Sequence, residues 1–184
     1  MTSDNYIKTG RITTIVSFII GTLILVMYAL SLDFGVMYLG ILFIMLAGLT
    51  NVVVLILLLF KAVTDAPHRK KLLLTAGMML INIPVLIFYL SIESNLSNTI
   101  RLSLNNSTKT VLTDIHINGC ELNHIDKLAP NQSQTIRIKI PGDCAIDIDY
   151  LQNGIRKKAS VADYVTNDGG QNLTYNIGGQ NDNF

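Results

Sequence analysis

The sequence predicts three transmembrane helices followed by a small antiparallel β-sandwich outside the cytoplasm. Two observations predict this division. Long uncharged apolar runs fill the first half of the chain, whereas short stretches of alternating apolar and polar residues fill the second half. We place the membrane domain at 1–94 and the extracytoplasmic β domain at 95–184, with a flexible tail after residue 178.

Composition favours a membrane protein and excludes several other classes. The chain has 184 residues, of which 49% are hydrophobic and 15% are charged, whereas soluble domains carry about 25% charged residues. The formal net charge is +1, and the basic residues form no stripe interleaved with aromatic residues. Binding to nucleic acid is therefore not expected, and the composition is also unlike that of collagen or of a disordered chain.

Three runs without a charged residue are long enough to cross about 30 Å of hydrocarbon as helices. They cover residues 12–31, 36–60 and 72–92. The first run leads through a short link into the second, without the cleavage site of a signal peptide, so no cleavage is expected. Pro84 is expected to bend the third helix because proline lacks a backbone donor.

The positions of the cations predict the orientation of these helices. Lys8 and Arg11 precede the first run, and the link between the first two runs carries Asp33 and no cation. The basic loop between the second and third runs contains Lys61, Arg69, Lys70 and Lys71. Because Lys and Arg near span ends favour the cytoplasmic side, the N-terminus is predicted to be cytoplasmic. The β domain is then exported, in what we expect to be a bacterial inner membrane.

Small and polar residues inside the runs predict how the helices pack. We expect close helix approach at Gly40, Gly48 and Gly77. The side chains of Asn51 and Asn82 are expected to bond to each other, since an unpaired amide is costly in hydrocarbon. No carboxylate, histidine or cation lies inside any run, which disfavours a transport pathway.

After Glu93, apolar residues recur at every second position, which is the period of a strand. Five segments show this pattern: Ile100 to Leu104, Ile115 to Ile117, Ile136 to Ile140, Ile146 to Tyr150 and Leu173 to Ile177. A sixth strand, from Ile155 to Val161, follows Asn153 and Gly154, whose sequence is typical of a type I′ turn and predicts an antiparallel hairpin.

Charged residues in the second half are interpreted as the solvent-facing side of a sheet. Asp147 and Asp149 alternate with apolar residues, so both are expected to point to solvent. Arg137 and Lys139 are expected opposite them on a neighbouring strand, where such pairs contribute some tenths of a kcal/mol.

The only two cysteines, Cys120 and Cys144, both lie in the β domain at expected strand ends. A disulfide between them is expected in an oxidising compartment. Closing this loop would stabilise the small domain by roughly 3 kcal/mol.

His116, Cys120 and His124 recur at every fourth residue, which makes a copper or zinc site an alternative interpretation of this segment. A four-residue step aligns side chains on a helix, whereas this segment alternates as a strand does, and a bridged Cys120 is no ligand. We therefore expect no metal and no cofactor.

No motif indicates an enzyme. The sequence lacks a glycine-flanked nucleophile with a matching histidine and acid. The glycine pairs at 169–170 and 178–179 lie beside strand-like segments and are expected to form turns, not phosphate loops. Neither a catalytic residue nor a small-molecule substrate is expected.

Short phrases carry a resemblance to known proteins. KTGRIT at 8–13, PGDC at 141–144, YVT at 164–166 and TYNIGG at 174–179 resemble a family of small uncharacterised bacterial membrane proteins with three spans and a C-terminal extracytoplasmic domain. The resemblance covers nearly the whole chain and implies that architecture, but no activity. The phrase LAPNQS at 128–133 is similar to a turn of exported immunoglobulin-like sandwiches, so we expect an immunoglobulin-like β-sandwich.

These features predict a membrane-anchored interaction module or accessory subunit, which presents its β domain to another membrane or envelope protein. The lipid bilayer is the second expected partner. Two alternatives remain open. One is an extracytoplasmic metal-binding protein that uses His116, His124 and a reduced Cys120, and the other is a small transporter or channel subunit.

Overall fold

A computed structural model describes residues 2–167 and 170–180 of the chain. The chain divides into two compact units, Met1–Glu93 and Ser94–Phe184. Gly169, which is expected in a turn, and residues 181–184 of the expected tail lie outside the described residues.

The first half of the chain forms long helices. Helix α1 covers Ser3–Ser31 and α2 covers Phe34–Thr64. The third stretch, Ala66–Ser97, begins with a 3-10 turn and continues as α3 (Arg69–Leu80) and α4 (Asn82–Ser97). All three stretches are long and apolar enough to cross a membrane, which indicates a membrane protein.

The helices extend beyond the apolar runs that predict them. The 29 residues of α1 extend about 43 Å, compared with about 30 Å of hydrocarbon. The segment from Lys61 to Lys71 is predicted to be a loop, but most of it is helical. Lys61 lies in the last turn of α2 and residues 69–71 form the first turn of α3, so only residues 65–68 lie outside α-helix.

A two-residue link reverses the chain between α1 and α2. Leu32 adopts a left-handed conformation with φ of 48°, and its N–H donates to the Tyr28 carbonyl at 2.7 Å. The carboxylate of Asp33 then accepts a hydrogen bond from the Val36 N–H at 3.1 Å. The link thus ends one helix and caps the start of the next.

The third stretch is interrupted at Ile81, as Pro84 predicts. Pro84 has no N–H to donate to the Leu80 carbonyl, and its ring crowds that group. Helix α3 accordingly ends at Leu80 and α4 begins at Asn82.

The predicted hydrogen bond between Asn51 and Asn82 is wrong. Asn51 Nδ2 donates to Ser17 Oγ at 2.8 Å and to the Ala47 carbonyl at 2.7 Å. Asn82 Nδ2 donates to the Thr14 carbonyl at 3.3 Å. Each amide finds an acceptor on α1 instead of on the other asparagine.

Helices α1, α2 and α3 pack closely around one small core. Its buried side chains are Ile7, Leu58, Ala62, Leu72 and Met79. Gly10 lies against this core, because a Cβ added to it would stand 2.7 Å from Leu58 Cδ1 and 2.8 Å from Thr75 Cγ2. Gly10 escapes prediction because it lies before the first apolar run.

The second unit is a two-sheet β domain with seven strands in its described residues. They are β1 (Thr99–Asn106), β2 (Leu112–Gly119), β3 (Asn123–Leu128), β4 (Ser133–Lys139), β5 (Cys144–Gln152), β6 (Ile155–Val165) and β7 (Gln171–Ile177). One sheet has the order β4-β1-β7 and the other β3-β2-β5-β6. Neighbouring strands are antiparallel except β1 and β7, which are parallel.

The alternating apolar residues of both sheets form one core. Its fully buried members include Leu102, Leu104, Ile115, Ile117, Ile146 and Ile148. Burying a side chain of this size contributes about 1.5–3 kcal/mol relative to leaving it exposed. The positions that the period of two predicts to point inward therefore hold the two sheets together.

Two strand predictions need correction. Strand β3 is additional to the six predicted strands, because Asp126 and Lys127 both point outward between the buried Ile125 and Leu128, which breaks the period of two. The expected pairing of Arg137 and Lys139 with Asp147 and Asp149 is also wrong. Strand β4 pairs with β1 in the other sheet, whereas β5 pairs with β2 and β6.

The hairpin between β5 and β6 is confirmed. Asn153 and Gly154 have φ of 52° and 79°, and Gln152 pairs with Ile155. Two successive positive φ angles define a type I′ turn, whose twist matches that of the strands it joins.

A disulfide joins Cys120, which follows β2, to Cys144 at the start of β5, with 5.3 Å between their Cα atoms. Because β2 and β5 are neighbours, with Gly119 paired to Ile146, the bridge closes one end of an existing strand pair. It therefore reinforces the sheet that the strands already form.

Candidate functional site

The outer face of the four-stranded sheet carries a polar cluster centred on two histidines. His116 on β2 lies directly opposite His124 on β3, and their ring centroids are 4.7 Å apart. Directly opposed residues of antiparallel strands point to the same face of a sheet. The pairing of β2 with β3 thus brings the two histidines together, although the four-residue steps from His116 through Cys120 to His124 do not align side chains on a strand.

A β-bulge adds Asp114 to the histidine pair. The register of β2 against β5 shifts between Thr113 and His116, and Asp114 has a φ of 50°. Leu112 and Ile115 are both buried, so the bulge leaves the two residues between them, Thr113 and Asp114, on the outer face. Oδ1 of Asp114 lies 2.9 Å from His116 Nε2 and 3.2 Å from His124 Nε2.

Arg156 on β6 holds Asp114 from the other side. Its guanidinium pairs with Oδ2 of Asp114 and with Oδ1 of Asp149. Asn118 Nδ2 donates to the remaining carboxylate oxygen of Asp149 at 2.9 Å. Asp114 therefore has one oxygen fixed by the guanidinium and the other directed at the imidazoles.

The same contacts favour the ionised form of both carboxylates. The hydrogen bond from Arg156 lowers the pKa of Asp114 more than partial burial raises it, and His124 adds to the lowering. Burial acts to raise the pKa of Asp149, but hydrogen bonds from Arg156 and Asn118 outweigh it and leave this pKa below its ordinary value. Both side chains are thus negatively charged at neutral pH.

The cluster is open to solvent. The side chains of His116 and His124 are each 44% exposed, and that of Asp114 is 39% exposed. On the outer side, His124 Nδ1 lies 3.4 Å from Asp126 Oδ1. An ion or a charged group in solution can therefore reach the imidazoles and the carboxylate.

The candidate metal ligands in the structure differ from those of the alternative metal site predicted from the sequence. His116 and His124 come together, whereas Cys120 is bonded to Cys144 and is not a free thiol. Asp114 occupies the third position instead. The period of two could have identified Asp114, because it lies two residues before His116 on β2 and therefore faces the same side of the sheet.

A groove between α1, α2 and α4 is the second candidate site. Helix α3 packs against α1 and α2, whereas α4 makes few contacts with them beyond the break at Ile81. The resulting cavity has a volume of about 430 Å³ and mostly apolar walls. Tyr89 of α4 reaches α1 at one point, where its hydroxyl lies 2.6 Å from Thr22 Oγ1.

The three glycines predicted at helix contacts differ in their surroundings. A Cβ added to Gly40 would lie 3.3 Å from Ile24 Cγ2 of α1. Within the described part of the chain, nothing lies within 4 Å of a Cβ at Gly48 or Gly77. Of the three, only Gly40 is therefore at a close contact between helices of this unit. Gly48 lines the groove, whereas Gly77 does not.

Asn51 also lines the groove. Both of its hydrogen bonds come from Nδ2, and its buried Oδ1 has no partner among the described residues. An unpaired amide oxygen is costly in an apolar environment, so the α2 wall of the groove retains an unused acceptor.

The basic residues of the predicted loop lie around the turn between α2 and α3. Lys61 is half-buried, and Arg69, Lys70 and Lys71 are exposed. Asp65 in this turn accepts hydrogen bonds from the Ser3 hydroxyl and from the His68 ring, and these bonds lower its pKa.

No protein-family model, no curated protein sequence and no solved structure matches this chain.

Proposed function

We propose that this chain is a membrane-anchored interaction module or accessory subunit. Its helices dock against another membrane protein and hold the β domain outside the cytoplasm, where that domain meets an envelope partner. The groove between α1, α2 and α4 is the observation that carries the proposal. A closed three-helix bundle would offer no such recess.

The walls of the groove suit a helix from a partner protein. In a bilayer, helices associate through close packing and hydrogen bonds, since lipid is as apolar as their side chains. Ala47 and Gly48 form a small-residue wall that a helix backbone can approach closely. Asn51 adds a polar side chain to the same wall.

The proposal includes the orientation predicted from the cations. Lys8 and Arg11 precede the first apolar run, and the basic turn at residues 61–71 lies between the second and third runs. Under the positive-inside rule, both groups of cations favour a cytoplasmic N-terminus. The disulfide supports the same orientation, since disulfides persist in oxidising compartments. Membership of the bacterial family that the short phrases resemble, and an immunoglobulin-like connectivity of the two sheets, are further parts of the proposal.

Co-purification with matched glycine variants tests the docking role. We would purify the chain in mild detergent from its native host and quantify co-purifying proteins by mass spectrometry. Gly48→Leu fills the groove, whereas Gly77→Leu places the same side chain on a helix surface outside the groove. We expect one envelope protein in stoichiometric amount with the unmodified chain and with Gly77→Leu, and its loss with Gly48→Leu.

Two outcomes would contradict the proposal. A chain that purifies without any stoichiometric partner is not an accessory subunit. A partner that is retained equally by Gly48→Leu and Gly77→Leu does not bind in the groove. Folding of each variant is checked by its thermal transition in the same detergent, so that loss of the partner is not confused with unfolding.

A further inference from the structure

We propose that Asp114, His116 and His124 bind one divalent transition ion, zinc or copper, on the outer face of the four-stranded sheet. This site is separate from the groove, and it differs from the site predicted from sequence spacing in having a carboxylate in place of a thiolate. The proposal follows from the donor atoms, their convergence and the groups around them.

The donor set selects the class of ion. Two imidazoles and one carboxylate form a nitrogen-rich set that suits zinc and copper. Calcium and magnesium require oxygen ligands in larger number, which this cluster does not supply. Three protein ligands would leave a fourth position for water or for an incoming group.

The distances allow all three residues to reach one ion. One ligand atom from each residue lies within 4.8 Å of those from the other two. In a tetrahedral zinc site with bonds of about 2.1 Å, ligand atoms stand about 3.4 Å apart. Asp114 Oδ1 already lies 2.9 Å and 3.2 Å from the two Nε2 atoms, so small side-chain rotations are sufficient.

The backbone at Asp114 adopts a strained conformation at the bulge. A non-glycine residue in the left-handed region costs free energy, and such residues are concentrated at functional sites. Here φ of 50° occurs at a bulge, and bulges redirect side chains beside active and binding sites. The bulge leaves two successive residues, Thr113 and Asp114, on the outer face between the buried Leu112 and Ile115.

The surrounding groups hold the ligands in position. Arg156 fixes one oxygen of Asp114, and Asp126 lies 3.4 Å from the other nitrogen of His124. Outer partners of this kind orient ligating carboxylates and imidazoles and raise metal affinity. Asp126 and Asp149 add negative charge near the ligands, whereas Arg156 and Lys158, which pairs with Asp149 across β5 and β6, add positive charge.

Metal titration of the full-length chain tests the site. The protein is purified in detergent without a polyhistidine tag, stripped with a chelator and titrated separately with zinc chloride and copper(II) chloride. Bound metal is measured by elemental analysis after desalting, and affinity by calorimetry. We expect one ion per chain for the preferred metal, and affinity lowered by about tenfold or more in each of Asp114→Asn, His116→Gln and His124→Gln.

The third histidine of the chain provides the matched control. His68 lies in the turn before α3, on the first unit, beside Asp65. His68→Gln is expected to bind the ion with unchanged stoichiometry and affinity. If His68→Gln abolishes binding and the three cluster variants retain it, the assignment of the site is wrong.

A measurement on the unmodified protein avoids dependence on the variants. The electron paramagnetic resonance spectrum of the copper(II)-loaded chain should show hyperfine coupling to two imidazole nitrogens. A spectrum without nitrogen coupling, or a chain that takes up neither metal, would overturn the proposal. The result is independent of the groove, because co-purification of a partner does not involve these residues.

Discussion

Gly119 occupies the most restricted backbone position described in the β domain. Its φ is 117°, and an added Cβ would stand 1.8 Å from the carbonyl oxygen of Ala145. Gly119 is also the last residue of β2 and precedes the bridged Cys120. The position therefore requires glycine, because φ is positive and because a side chain would collide with the backbone of β5. Both restrictions apply next to the disulfide that joins β2 to β5.

Gly119→Ala is expected to destabilise the β domain strongly. The left-handed conformation alone costs a non-glycine residue roughly 1–3 kcal/mol, and the contact with Ala145 adds to this cost. Guanidinium unfolding of the full chain in detergent, followed by tyrosine fluorescence, would measure the change, since Tyr150 is buried in the core. Gly142→Ala is the control, because nothing described lies within 4 Å of its added Cβ, and its unfolding midpoint should stay close to that of the unmodified chain.

An unchanged midpoint for Gly119→Ala would mean that β2 and β5 separate easily at this end. The disulfide would then hold the two strands together without close backbone contact between them.

At the scale of the elements, the contact of α1 with α2 and α3 depends on Gly10. The two atoms that a side chain would meet belong to Leu58 and Thr75, neither of which has exposed surface. They cannot move aside into solvent, so Gly10→Leu must separate the helices. Overpacking of this kind costs about 1–3 kcal/mol.

The expected result is a lower thermal transition of the helical unit for Gly10→Leu than for Gly77→Leu, measured by circular dichroism in the same detergent. Both changes improve helix propensity equally, so the difference isolates packing. Equal transitions for the two variants would show that α1 does not rely on this contact.

The same scale explains how much of the fold could be predicted. Helices made of long apolar runs, such as α2, and strands with a regular apolar period, such as β5, depend on local pattern and were predictable. Strand β3 was missed because two outward residues follow each other in it. The histidine and aspartate cluster was missed because His124 joins Asp114 and His116 only through the pairing of β2 with β3, and the spacing of the three residues does not encode which strands pair.

At the scale of the whole molecule, the disulfide provides a test of orientation. In intact cells, an impermeant maleimide should label the chain only after an impermeant reductant has opened the bridge between Cys120 and Cys144. The expected reason is that both cysteines face the exterior under the positive-inside rule. A chain with both cysteines changed to serine provides the unlabelled control. Labelling that requires cell lysis, with or without reductant, would invert the proposed orientation.

The position of β1 determines the order in which the β domain can form. This strand follows α4 directly along the chain, yet its two neighbours are β4 and β7, and Ile100 pairs with Gln171 far along the sequence. Hairpins such as β5–β6 pair residues that are close in sequence and form fast, whereas strands that are far apart in sequence pair slowly. The apolar residues of β1 are thus the first of the domain to be made and among the last to be covered. During that interval, the newly synthesised chain needs protection from aggregation at this strand.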